Sequence, residues 1–162
     1  MEKSKKDLKK VFLNKLKLSL YFLKHMPMGF FNKLRVIEID DEKASVSVPF
    51  NYFTKNPFKS MYFAVQSMAA ELASGVIAIN EVNNASVPVS MLVLNMEAQF
   101  VKKAKSKIIF TCNDGQKIKN AVKQAVETNE GHTVTITSTG VDQSGEIVSI
   151  FKFTWTFKSK TK

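Results

Sequence analysis

Glu71 is the residue of this chain best placed to do chemistry. It is the one carboxylate of residues 56–75, an otherwise neutral and largely apolar stretch that holds a single cation, Lys59. Large apolar residues at Met61, Val65, Met68, Leu72, Val76 and Ile79 keep the i, i+3/i+4 spacing that predicts a helix. Ala64, Ser67, Glu71, Ser74, Gly75 and Ala78 fall on the opposite side. Small residues let another backbone approach closely. A carboxylate among them is solvated, tied to a neutral donor or kept for function. No Lys or Arg lies between Lys59 and Lys102, so no cation one turn along the helix can neutralise it. Burial would raise the carboxyl pKa towards that of a useful general base. Asn56, just before Pro57, reads as a turn or capping residue. Tyr62 offers a hydroxyl or simply packs. His25, His132 and Cys112 are too few and too scattered to ligate a metal, and no cofactor is expected.

The elements that position these residues follow from the pattern. Residues 7–24 predict one amphipathic helix with Leu8, Val11, Phe12, Leu16, Leu20 and Leu23 on one side, ended by Pro27 and Gly29. Residues 34–39 and 43–49 predict two strands around the Asp40-Asp41-Glu42 turn. The long helix runs from about residue 60 to Asn80. Residues 88–101 predict a strand with Leu92, Leu94, Met96, Ala98 and Phe100 on one face. Residues 105–112, 131–141 and a last strand from Ile147 complete a four-strand run, with a short helix over 116–129 after the Asp114-Gly115 turn. Phe151, Phe153, Trp155 and Phe157 share one face, as core or as the lining of an apolar tunnel. Hairpin-type connections make such a sheet mostly antiparallel, and one long helix packed across it gives an α+β layer arrangement.

This order of elements, together with residues 56–75, resembles the hotdog-fold thioesterase superfamily, in a divergent branch. The superfamily pattern is an Asn, a Gly three residues later, a His-Gly-Gly leading into the helix, and an Asp or Glu nine residues after the His. Asn56 and Glu71 match. Lys59 stands at the first Gly, Tyr62 at the His, and Phe63 and Ala64 at the paired glycines. The resemblance implies a curved antiparallel sheet wrapped around a long central helix, here with an added N-terminal helix, and protomers paired as a homodimer or further as a tetramer. It implies an acyl-CoA or other acyl-carrier thioesterase with its site between protomers. Glu71 would be general base or nucleophile, the Phe63 N–H the oxyanion donor and Asn56 a further member of the catalytic set. Tyr62, Ala64, Lys59 and Ser67 would contact substrate, and the Lys102, Lys103, Lys105 and Lys107 group would suit the CoA phosphates. The alternative is a non-catalytic protein that holds a fatty acyl or other apolar ligand in the same tunnel.

A chain of 162 residues with 44% apolar content is one folded domain. It divides into an N-terminal basic helix (1–29), a hotdog domain (30–158) and a basic tail (159–162). No run of about 18 apolar residues predicts a membrane span. The lysines that interrupt the N-terminal segment argue against a secretory signal. A lone Cys112 fits a reducing compartment, and a cytoplasmic location is expected. The net charge of +10 draws polyanions, but 23 Lys against the single Arg35 argue against specific nucleic-acid recognition. Packing of the N-terminal helix on the domain is favoured; peripheral contact with a membrane is the alternative reading of its lysines.

Overall fold

Thirteen residues at the C-terminal end show how the sheet is built. Along Ile147–Ser159 the side chains of Phe151, Phe153, Trp155 and Phe157 are buried, while Lys152 between the first two and Lys158 after the last are exposed. That period-2 alternation gives a strand one apolar and one wet face. The structure, a computed structural model, describes residues 8–160. Residues 1–7 of the expected N-terminal unit, and residues 161–162 of the basic tail, lie outside the described residues. The elements in chain order are α1 (Leu8–Leu13), α2 (Lys15–His25), α3 (Pro27–Phe31), β1 (Arg35–Ile39), β2 (Ala44–Val48), α4 (Phe63–Asn84), β3 (Val89–Phe100), β4 (Ile108–Cys112), α5 (Gly115–Thr128), β5 (His132–Val141) and β6 (Ile147–Ser159).

The strands form one sheet in the order β1-β2-β4-β5-β6-β3, with every neighbouring pair antiparallel. α4 touches all six strands. A flat sheet of that width, at about 4.8 Å per strand, is far broader than a helix of about 10 Å, so the sheet must curl around α4. This is the hotdog arrangement that the sequence predicted. α5 covers α4 and β5 near one end.

Enclosure changes the reading of α4. Its fully buried positions include Ala69, Ala70, Ala73, Ser74, Val76, Ile77 and Ala78, so the small residues, not only the large ones, face the sheet. Met68 and Ile79, expected on the core side, are only partly buried. A helix buried nearly all round does not announce its core face by hydrophobicity alone. Inside, the Trp155 indole N–H donates to Ser74 Oγ at 3.1 Å, and Ser74 Oγ donates to the Glu71 carbonyl at 3.0 Å.

Two further expectations change. The helix predicted over 7–24 is broken at Asn14, whose backbone is extended and whose side chain accepts from the Lys17 N–H at 3.0 Å. An Asn that can cap a new helix competes with continuing the old one. The restart turns Leu18 and Phe22 inward and leaves Leu16 at 71% and Leu20 at 59% exposure, so the predicted stripe is buried in its first half only. In β3 the single-face alternation fails at Leu94. Val93 pairs with Trp155 and Asn95 with Thr154, so Leu94 is an extra residue, a β-bulge. Met91, Val93, Met96, Ala98 and Phe100 therefore lie across from the inward-facing positions of β6, and Leu92 across from outward-facing Thr156.

Gly140 in β5 pairs with Phe110 of β4. A Cβ built there would stand 2.8 Å from Phe110 Cζ, and that ring is fully buried between strands and against Phe151. Gly140→Ala should therefore destabilise by about 1–3 kcal/mol, the usual cost of overpacking, seen as a lower urea midpoint at unchanged slope.

Candidate functional site

The loop before α4 is shaped by Asn56. Its Oδ1 accepts from the Phe58 N–H at 3.0 Å, the Ser60 N–H at 3.3 Å and the Ser60 hydroxyl at 3.2 Å. Its own N–H donates to the Ser60 carbonyl at 2.8 Å. An Asn side chain that closes a tight turn in this way has committed its oxygen to the backbone. Lys59 within that turn has φ +57°. A glycine takes this left-handed conformation freely, and any other residue takes it at a cost. This accounts for a glycine at the corresponding place of the superfamily pattern. Lys59 lines a groove of about 720 Å³ with Phe50, Tyr52 and Phe53, and is not among the residues lining the cleft at the start of α4.

α4 starts abruptly. Tyr62 is extended, with φ −64° and ψ 135°, and no side chain caps the helix. The Tyr62 N–H is used by the Thr54 carbonyl at 2.8 Å, whereas no acceptor among the described residues meets the Phe63 and Ala64 N–H groups. Two free N–H donors at the positive end of a helix dipole can bind an oxyanion. A cleft of about 440 Å³ lies beside them, lined among others by Asn56, Phe63, Gln66, Phe100 and Lys103. The Phe63 ring is 53% exposed and meets Phe100 edge-on at 6.5 Å. Sequence reading did not single out Gln66. It is buried, donates to the Met61 carbonyl at 3.3 Å and accepts from the Ser149 hydroxyl at 2.9 Å, joining the start of α4 to β6. A lone Gln one turn into an apolar helix was the available signal.

Glu71 lies two turns further on, partly buried, with Ala64 and Ser67 on the half-open flank of α4. Its Oε1 stands 3.4 Å from where a side chain on Gly75 would begin, and Trp155 is the next neighbour of that spot. Among the described residues no hydrogen-bond donor or cation meets the carboxylate. Burial alone pushes its pKa up from the ordinary 4.5. The lysine group near the cleft is less available than its sequence suggested. Lys102 is bound by Asp142 at 2.7 Å and by Glu146, and that pairing holds the Asp142 pKa well below its usual range. Cys112 is fully buried at the end of β4, where desolvation raises its thiol pKa to about 11.

The candidate residues thus form two groups on one helix. Tyr62, Phe63 and Ala64 are at its start, with Asn56 in the turn before it. Ser67 and Glu71 lie along its flank. Eight residues separate Phe63 from Glu71, about 12 Å at about 1.5 Å per residue. One carbonyl cannot touch both within a single protomer.

The family described as a domain of unknown function, DUF4442, matches residues 17–157, and the chain belongs to that family. Solved structures extend the comparison. A Pseudomonas aeruginosa protein of unknown function, described as a probable thioesterase, superposes with a TM-score of 0.73 at 19% identity over 89% of this chain and 95% of that one. A Chlorobaculum tepidum protein of unknown function gives 0.75 at 12% identity over 92% of this chain and 99% of that one. A Haemophilus influenzae thioesterase gives 0.64 at 8% identity over 92% and 93%. No curated protein matches the sequence. At such identities the likeness establishes the fold alone, the hotdog fold.

Two substitutions check this geometry. Lys59→Gly relieves a left-handed cost of about 1–2 kcal/mol against an added chain-entropy cost of about 1 kcal/mol, and should raise stability by up to about 1 kcal/mol in urea melts. Glu71→Gln should stabilise the protein at neutral pH, because it removes a desolvated charge. The folded-state pKa of Glu71 is raised, so the folded state holds its proton more tightly and wild-type stability falls as pH rises from the ordinary value of 4.5 through the folded one. Below 4.5 the carboxyl is protonated in both states and the gap between variant and wild type should close. Melting temperatures of both proteins across pH 4–8 read this directly, on the scale over which carboxylates titrate.

Proposed function

We propose that this DUF4442-family protein hydrolyses a thioester, as a homodimer, with acyl-CoA or another carrier-bound acyl group as substrate. The observation that carries the reading is the Glu71 carboxylate: desolvated, without a partner among the described residues, and flanking a helix whose start offers two N–H groups free among those residues. A carboxylate with a raised pKa is a better proton acceptor near neutrality. In the proposed reaction Glu71 takes a proton from water as the water oxygen attacks the thioester carbonyl carbon. The carbonyl oxygen, becoming negative, accepts from the Phe63 and Ala64 N–H groups. The C–S bond then breaks, and the proton held by Glu71 goes to the leaving thiolate. A carboxylic acid and a thiol result. Ser67 and Tyr62 border the path between the two groups, and Lys59 and Asn56 shape the loop before them. With Lys102 compensated, Lys103, Lys105 and Lys107 remain for the phosphates of a nucleotide-bearing carrier.

In this mechanism a second protomer bridges the distance of about 12 Å between the two groups, with Glu71 of one subunit facing the helix start of the other. β3 supports that assembly. It is an edge strand with Leu92, Leu94, Met96 and Phe100 exposed, and such edges are normally paired or covered. A lone thiol buried in the core is consistent with a cytoplasmic setting. One observation favours the alternative of a non-hydrolysing acyl binder: the Phe63 ring stands beside its own N–H, where the superfamily pattern has glycine, and narrows the approach.

Light scattering should give twice the protomer mass of 18.2 kDa. Glu71→Gln should cut hydrolysis of an acyl-CoA series by about 10²–10⁴-fold with the fold intact. Phe63→Pro removes the first N–H at a position where proline suits both the helix and the extended Tyr62, and should be equally inactive, while Phe63→Ala keeps activity. Co-expressing the Glu71→Gln chain with the Phe63→Pro chain should restore activity, because a mixed dimer rebuilds one intact site from the two variants. Wild type inactive on every acyl-CoA would replace the enzyme reading by the binding one. Inactive mixed dimers would overturn a site shared between protomers, and this mechanism with it.

A further inference from the structure

Three segments without an acidic residue meet at one end of the sheet. Residues 8–37, 43–70 and 98–113 contain no Asp or Glu. β1 starts at Arg35, opposite Ser47 of β2, and Val48 at the end of β2 pairs with Ile108 at the start of β4. α3 is tied to this end by the Leu34 N–H on the Gly29 carbonyl at 3.0 Å. The 49–62 loop folds back onto it. Thr54 Oγ1 donates to the Pro49 carbonyl at 2.9 Å, and the Met61 N–H donates to the Ala104 carbonyl at 2.8 Å. Lys33, Lys55, Lys59, Lys103, Lys105 and Lys107 therefore gather here, none with a carboxylate partner among the described residues. Among the described residues, the acids that reach this end, Asp142 and Glu146, are both held by Lys102. Those of the β1–β2 turn lie at the far end of the strands.

The same surface is greasy. Tyr52, Phe53 and Phe58 project from the loop at 76%, 63% and 73% exposure, and Met28 and Phe31 of α3 are more than half exposed. Leading into α3, helix α2 turns Leu16, Leu20 and Leu23 to solvent, a stripe at i, i+4, i+7 with Lys17 and Lys24 beside it. Basic charge without acids selects an anionic partner. Exposed aromatic rings and a leucine stripe select one with an apolar interior, and lysine stems can reach from one to the other. Nucleic acid would use the charge and stack bases on the rings, but it would leave the leucine stripe wet, and it favours Arg.

We infer that this end of the protein docks on an anionic phospholipid surface, its leucine and aromatic side chains entering the headgroup region and its lysines meeting the lipid phosphates. α4 begins at the same end, because Met61 is bound to Ala104, so the cleft beside Phe63 would open towards the membrane. Docking does not depend on the chemistry at that cleft.

The experiment is co-sedimentation of the full chain with vesicles of phosphatidylcholine alone and of phosphatidylcholine mixed with phosphatidylglycerol. Binding is expected on the mixed vesicles only, and it should weaken as salt is raised. The double variant Leu16→Asp/Leu20→Asp, and separately Phe53→Ser/Phe58→Ser, should each lower binding by about tenfold or more. Melting temperature should be unchanged, because these side chains are already exposed. Wild type that stays in the supernatant with mixed vesicles overturns the proposal, as does binding that neither double variant weakens. Salt-sensitive binding to a single-stranded oligonucleotide in place of vesicles would assign the surface to nucleic acid. A smaller particle for Leu16→Asp/Leu20→Asp by light scattering, with vesicle binding intact, would assign the stripe to a second copy of the chain. Either result overturns the membrane reading.

Discussion

The whole fold depends on enclosing one helix in one sheet. α4 can touch all six strands only if its own surface is narrow, and alanine, serine and glycine at positions 69, 70, 73, 74, 75 and 78 make it so. The aromatic row of β6 supplies the bulk that the helix lacks, and the Trp155 indole locks onto Ser74. Dispersion and apolar burial from many small contacts replace the few large knobs of an ordinary helix–sheet interface. The flank of α4 that the sheet does not reach is where a carboxylate survives half in and half out of water. Glu71 owes its environment to the limit of the enclosure, not to any polar cluster built around it.

The same limit keeps the free N–H groups at the start of α4 and the Glu71 carboxylate apart within one protomer. Free N–H groups occur at the first turn of a helix, and a desolvated carboxylate needs the middle of one, where the termini and the loops are far away. A straight helix keeps these two resources apart. Bringing them together calls for a second helix lying antiparallel to the first, and the unpaired β3 edge offers the surface on which another protomer could present it.

Much of this was legible in the sequence, because the signals that carry the fold are local. The alternation along Ile147–Ser159, the turn residues at Asp40-Asp41-Glu42 and the spacing from Met61 to Ile79 each specify an element without reference to the rest. What was not legible depends on choices between local options. Asn14 either continues a helix or caps a new one, and only the burial of Leu18 and Phe22 decides. Leu94 fits an alternating strand until register against β6 forces the extra residue out. Asn56 has the residue type of a catalytic partner, yet its oxygen is spent on the turn that carries Lys59. Lys102 has the look of a phosphate ligand, yet Asp142 and Glu146 arrive from a hairpin distant in the chain. At the candidate site the chain position of Glu71 was readable, whereas the lack of a partner for its carboxylate among the described residues was not, since that depends on every element folded around it.

Cys112 offers an internal clock. Its thiol is fully buried at the end of β4, an interior strand of the sheet, and its raised pKa of about 11 leaves almost no thiolate in the native state near neutrality. A thiol reagent can modify it only when β4 and its neighbours part. The rate of labelling therefore counts excursions of the sheet away from α4, as amide exchange does, but at one chosen atom. Because the chain has no second cysteine, the reading needs no assignment: each modified molecule is one that has opened its core.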